Sequence, residues 1–186
     1  MVEQNRSRTT RILHTLLALA IVAQLALGTF MQAPSRNRPG DQWFEVHEKL
    51  GLVTLAVLAS FWLWAMVRTR EVGFAMLFPW FSLSRMRDVV ADLDAHLRSI
   101  RRGKLPLSEA KPLANAVHGL GIVVATIMAV TGAAGYFLPQ ARALLGIHSA
   151  VSTLMWAYLI GHAGVAVIHE FSGDRLLQRM FASGKR

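Results

Sequence analysis

The sequence predicts an all-α integral membrane protein, a four-transmembrane-helix bundle with a cytoplasmic amphipathic helix between the second and third spans. It forms one domain over residues 1–186. Three observations lead there. Of the residues, 53% are hydrophobic and only 17% charged, too apolar for an ordinary soluble domain. Four runs, Ile12–Ala33, Leu50–Val67, Leu113–Gln140 and Ala143–Ile168, carry almost no charge. Each is long enough to cross a hydrocarbon core, which takes about 20 apolar residues. These patterns exclude a soluble enzyme, a secreted disulfide scaffold and a disordered tail.

The first span covers roughly 11–33. It has a basic start (Arg6, Arg8, Arg11), but its apolar stretch is too long for a signal core, and no small-residue cleavage site closes it before Pro34. It is therefore read as a retained helix. The following connection, Pro34–Glu45, is polar and holds Pro39–Gly40, a turn signal. The second span covers roughly 46–68. The third and fourth, roughly 112–138 and 144–170, are joined by the short Pro139–Gly146 connection and so are antiparallel neighbours.

The long second connection contains its own helix at roughly 83–102. Leu83, Met86, Val90, Leu93, Leu97 and Ile100 recur every three or four residues, with Arg85, Arg87, Asp88, Asp92, Asp94, Arg98 and Arg101 between them. Ser82 or Ser84 can cap its start, and Gly103 and Pro106 mark its end. Such a helix lies on the inner membrane face, or packs against a partner protein.

The formal charge of +9 is not a nucleic-acid footprint, because the basic residues sit beside spans. Arg6, Arg8 and Arg11 precede the first. Arg68, Arg70, Arg85, Arg87, Arg98, Arg101, Arg102, Lys104 and Lys111 lie between the second and third. Arg175, Arg179, Lys185 and Arg186 follow the fourth. Sixteen of the twenty thus fall on one side, leaving Arg36, Arg38, Lys49 and Arg142 on the other. The positive-inside rule puts both termini in the cytoplasm of a bacterium, with the chain in its inner membrane.

Histidines carry the chemistry. Of the seven, only His96 lies away from a span, and it is read as a surface residue. An ionisable residue inside a span is costly and marks function by default. One alone would be a hydrogen-bonded core residue; six at paired depths are harder to explain so. His47 and His148 open helices that both start outside. His14 opens the first helix on the inside. His162 lies 14 residues beyond His148, roughly 21 Å deeper and within roughly 40° of the same helix face. The last helix therefore offers two imidazoles to one interior. His47 matches one in depth and His14 the other.

Zinc would need four ligands, and the four apolar runs within the spans hold no Cys, Asp or Glu to complete a set. A di-iron carboxylate site fails for the same reason. Low-spin haem needs only two axial ligands, and the chain lacks the CxxCH motif of covalent attachment, so two bis-histidine b haems fit. Gly51, Gly132, Gly135, Gly161 and Gly164 would make room for them, or serve plain close helix packing. Arg11 inside, and Arg36, Arg38 or Arg142 outside, are candidates to pair with propionates. The tryptophans Trp43, Trp62, Trp64, Trp80 and Trp156 are read as interface anchors and packing rather than electron relays.

These residues resemble the prokaryotic cytochrome b561 family over nearly the whole chain. The resemblance is carried by His14 in RILHTLLAL, His47 in VHEKLGLVTL, and His148, His162 and His169 in HSAVSTLMWAYLIGHAGVAVIHEF, with His118 and Gly132 on the third helix. It implies a four-helix di-haem membrane cytochrome, with His14 and His162 on the inner haem and His47 and His148 on the outer. It also implies a quinone site at the inner haem. His169 and His118 should sit near that haem, where they can hydrogen-bond a quinone carbonyl (ubiquinone as substrate), relay its protons, or instead bind propionates or lipid phosphates.

The donor is open. One family branch oxidises superoxide and passes the electrons to ubiquinone. An anionic substrate would gain from a basic outer surface, but Arg36, Arg38, Lys49 and Arg142 face Asp41, Glu45 and Glu48 there. The long inner segment resembles instead the cytochrome subunits of hydrogenases and formate dehydrogenases, which would imply a periplasmic redox partner. A haem-free transporter is the remote rival, since the broken helices and mid-depth charges of transporters are missing.

Overall fold

The structure, a computed structural model, describes residues 7–68, 71–104, 112–174 and 176–181. The expected helix stop at Pro106 and the basic residues Arg6, Arg70, Lys111, Arg175, Lys185 and Arg186 lie outside them.

Among the described residues four helices are long and apolar enough to cross a membrane: α1 (Arg8–Phe30), α2 (Gln42–Val67), α5 (Pro112–Phe137) and α6 (Leu144–His169). The last continues as a wider-wound π segment through Glu170–Asp174, where Gly173 turns left-handed at φ 99°. Between α2 and α5 come a single helical turn, α3 (Phe74–Leu77), a 3-10 turn at Pro79–Phe81, and α4 (Leu83–Arg101); α7 (Leu176–Phe181) follows α6.

Local chemistry sets the boundaries. α2 begins at Gln42, earlier than the apolar run suggests, because the Asp41 carboxylate accepts a 2.8 Å bond from the Phe44 N–H, one of the otherwise unsatisfied donors of a first turn. The turn in the α1–α2 connection is not at Pro39–Gly40. Ser35 and Arg38 exchange backbone bonds around Arg36–Asn37. Ser82 stands at the cap position of α4, but its hydroxyl meets Ser84 Oγ at 2.9 Å rather than a backbone N–H. Gly103, at φ 68°, ends that helix. Its N–H and that of Lys104 reach back to the Ile100 and Ser99 carbonyls, which would otherwise be left open.

The chain divides into two compact units. The terminal unit comprises Met1–Arg11, Trp64–Gly121 and Tyr158–Arg186. The hairpin unit comprises Ile12–Leu63 and Ile122–Ala157, and so holds the α1–α2 and α5–α6 connections. Each of the four long helices contributes residues to both.

In the hairpin unit Leu25, Leu58, Phe61, Val124 and Met155 are buried, and the Trp62 indole donates to Thr126 Oγ1 at 2.9 Å. Such bonds join helices where hydrophobicity cannot. In the terminal unit Val72, Leu77 and Phe78 are buried, and α5 lies directly on the backbone of α3. A Cβ on Gly119 would overlap the Leu77 carbonyl.

Candidate functional site

Within the hairpin unit, α2 and α6 bring His47 and His148 together. Their ring centres are 6.1 Å apart and their planes nearly perpendicular, at 88°. A single iron bonded to both ring nitrogens at about 2 Å would set the two centres about 6 Å apart. The His148 ring is fixed from behind. Its Nδ1–H donates to the Met128 carbonyl at 2.8 Å, which leaves Nε2 for a metal. The Thr131 hydroxyl lies 3.5 Å from the same Nδ1 and donates to the Ile127 and Met128 carbonyls. Gly132 seats the ring, because a Cβ there would come within 3.1 Å of His148 Cε1. On the other side the Gln24 side-chain amide donates to the His47 carbonyl at 3.0 Å and lies over Gly51.

Not every candidate glycine serves a histidine. Gly135 takes the side chain of Leu145, which is helix packing, and nothing lies within 4 Å of a Cβ placed at Gly161 or Gly164.

Within the terminal unit the histidines are arranged differently. His162 is stacked on Tyr158, one turn earlier in α6, with ring centres at 5.4 Å and planes 7° apart. The Tyr158 phenol occupies the space that a Cβ on Gly121 would need. The His118 ring meets His162 edge-on with centres at 5.0 Å, and its Nδ1 donates to the Ala114 carbonyl, 2.6 Å away. These two rings touch, and the gap is short of what an iron between them would need. His169 is buried at the end of α6. His14 sits half-buried in the part of α1 that belongs to the hairpin unit.

Two polar features of the terminal unit are invisible as motifs. Asn115, one turn before His118, is 1% exposed, and neither of its amide atoms has a hydrogen-bond partner among the described residues. Glu71, with a side chain 7% exposed, accepts from Thr10 Oγ1 at 2.8 Å and from the Ser7 N–H at 3.2 Å, and it lies 3.8 Å from the buried Arg68 guanidinium. The Trp64 indole donates to Thr10 in turn. Burial alone would raise the Glu71 pKa, but the bonds from Ser7 and Thr10 and the Arg68 charge outweigh it and hold the carboxyl below its ordinary value. Arg68, counted from sequence only as a marker of topology, is thus part of a buried clasp.

Two further readings change. Arg11, a candidate for propionate, donates through Nε to the Met180 carbonyl at 3.1 Å. His96 is not a plain surface residue. Its Nδ1 donates to the Asp92 backbone carbonyl at 2.8 Å and lies 3.2 Å from one Asp92 carboxylate oxygen, while the other caps α5 by accepting from the Leu113 N–H at 3.1 Å. The spacing of four between Asp92 and His96 was a usable signal. The same spacings of four and three put Tyr158 beside His162 and Asn115 beside His118 and were equally usable, whereas Thr131 meets His148 from another helix, which no local spacing announces.

Among the described residues no group of three or more His, Asp or Glu could hold a metal ion. A metal between His47 and His148 would therefore need its remaining ligands from elsewhere, as a porphyrin supplies them. The residues fit that group: two facing imidazoles, one oriented by a backbone carbonyl, with glycine behind it.

No curated protein and no solved structure matches the chain significantly. The sequence profile of the prokaryotic cytochrome b561 family matches residues 5–183, nearly all of it. With four membrane-crossing helices and histidines facing at iron-bridging distance, the chain belongs to the prokaryotic cytochrome b561 family of multi-pass, b-type electron-transfer cytochromes.

Proposed function

We propose that the protein carries two b haems and moves electrons across the bacterial inner membrane to or from quinone. His47 and His148 hold the outer haem; His14 and His162 hold the inner one. The observation that carries the reading is the 6.1 Å separation of the His47 and His148 rings. The haem, when bound, supplies one-electron chemistry at iron. The chain's residues do the rest. The Met128 carbonyl fixes the His148 tautomer and makes its imidazole a stronger ligand. Leu25, Leu58, Phe61 and Met155 keep the hairpin unit dry.

His169 and His118 serve the quinone near the inner haem, and Asn115 joins them. A buried amide with no partner costs about 1–3 kcal/mol, and a quinone oxygen accepting from it would recover part of that. Positions 115 and 118 lie on one helix face. His118 and His169 can pass protons, which quinone reduction consumes along with electrons.

A neutral or protein donor on the outer face fits better than superoxide. Lys49 pairs there with Glu45 at 3.6 Å, which further weakens any field that would steer an anion.

Haem content and spectra test the assignment. The purified protein should be red, with a b-type Soret band and a reduced α band. His47→Ala and His148→Ala should each remove one haem, and His14→Ala and His162→Ala the other, as resolved by redox titration. Loss of the same haem from His14→Ala and His148→Ala overturns the pairing. Rapid haem reduction by superoxide in stopped flow, faster than by quinol, would make superoxide the donor.

A further inference from the structure

We propose that α4 is an anchor for anionic phospholipid, lying in the headgroup region of the leaflet on the side of the termini, with its apolar stripe buried among acyl chains. Electron transfer does not require this surface, and the proposal is independent of the haem assignment.

The packing of α4 leaves the stripe uncovered. No residue of α4 is buried, and Leu83, Val90, Leu93, Leu97 and Ile100 are all exposed. The helix is attached by another side. Asp92, which caps α5 through the Leu113 N–H, and His96 lie roughly 110° around the helix from the centre of the stripe. With that edge held against the start of a membrane span, the stripe runs alongside the membrane surface. The chain arrives from α2, ending at Val67, and leaves into α5, starting at Pro112, so both tethers are ends of spans. Just ahead of α4, Phe81 is 87% exposed and Trp80 also open, aromatics of the kind that settle at headgroup level.

Charge selects the lipid. Arg87 and Arg101 flank the stripe on the side away from Asp92, beside the Asp94–Arg98 ion pair. The acidic residues nearby are engaged within the chain: Asp94 pairs with Arg98 at 2.7 Å, and Asp92 with His96 and α5. A groove of about 440 Å³ opens between Leu83, Met86, Val90 and Ala91, with Arg87 and Asp94 at its rim. The apolar floor suits an acyl chain, and Arg87 stands where its phosphate would lie, with Asp94 turned to Arg98.

The chain has no cysteine, so single cysteines report cleanly. Full-length protein carrying Val90→Cys, Leu97→Cys or Asp88→Cys is spin-labelled and placed in phosphatidylcholine nanodiscs with or without phosphatidylglycerol. Collisions with oxygen, which is concentrated in lipid, are compared with those with a water-soluble nickel chelate. Labels at 90 and 97 should favour oxygen when phosphatidylglycerol is present, and the label at 88 should favour nickel throughout. Omitting phosphatidylglycerol, or combining Arg87→Gln with Arg101→Gln, should move the labels at 90 and 97 toward nickel. Nickel access at 90 and 97 despite phosphatidylglycerol overturns the proposal. Shielding from both reagents overturns it in favour of a protein on the stripe, with spin–spin broadening if that protein is a second copy. Equal oxygen exposure without phosphatidylglycerol overturns the anionic selection.

Discussion

The histidines of the two units are held in opposite ways. In the hairpin unit, His47 and His148 stand with ring centres 6.1 Å apart, and His148 is supported by a backbone carbonyl, a threonine and a glycine. In the terminal unit, His162 is in contact with two rings, Tyr158 and His118, and the same unit buries a charged clasp of Arg68, Glu71 and Thr10. The first arrangement suits a ligand that waits for a metal and moves little. The second is a polar neighbourhood fit for a site where protons enter and leave with a substrate.

The contrast can be broken most forcefully at Gly119. Gly119→Ala drives a Cβ into the Leu77 carbonyl, which is backbone and cannot swing aside. A loss of about 3 kcal/mol is expected. In thermal unfolding in detergent it should far exceed that of Gly28→Ala, where nothing lies within 4 Å. Equal losses would mean that α5 does not depend on this contact.

Glu71→Gln comes next, at about 2 kcal/mol, because a buried charged acceptor for Thr10, Ser7 and Arg68 is weakened. The wild-type clasp also carries a pH signature. The folded carboxyl sits below the ordinary glutamate value of about 4.3. Its contribution is therefore complete above that value and is lost as the pH falls through the lower folded one. Melting curves of wild type and Glu71→Gln should converge in acid and stay apart at neutral pH. A gap that persists in acid assigns the loss to shape rather than charge.

The smallest effect concerns the open pair. Thr131 shares the Met128 carbonyl with His148, so Thr131→Val leaves His148 as its one side-chain donor. A stronger bond makes the imidazole more electron-rich, so the midpoint potential of the haem proposed on His148 should fall slightly while that of the proposed second haem stays. Movement of both, or a rise, would show that the threonine acts through packing.

Much of this was legible in the sequence. The four spans follow from length and hydropathy. Gly103 was readable as a helix stop because few residues accept its φ of 68°. His47 and His148 could be matched because both open helices that start on one side, and counting residues gives depth at 1.5 Å each. The contact of His118 with His162, the approach of His148 to Gly132 and the buried clasp were not legible. Depth along a helix says nothing about which neighbouring helix a side chain meets. Arg68 read as a loop charge because basic residues at span ends are common, and only the fold shows it buried against Glu71.

The sequence by itself determined that the chain spans a membrane four times, which side carries the positive charge, and that its apolar runs hold imidazoles but no cysteine or carboxylate. Those properties are sums over residues, and they survive any rotation of the helices. The tertiary structure decided how far apart the rings on different helices stand, and which carbonyl, hydroxyl or glycine on another helix supports His148. Such choices turn on rotations and approaches of a few ångströms between segments far apart in the chain, and no local pattern encodes them.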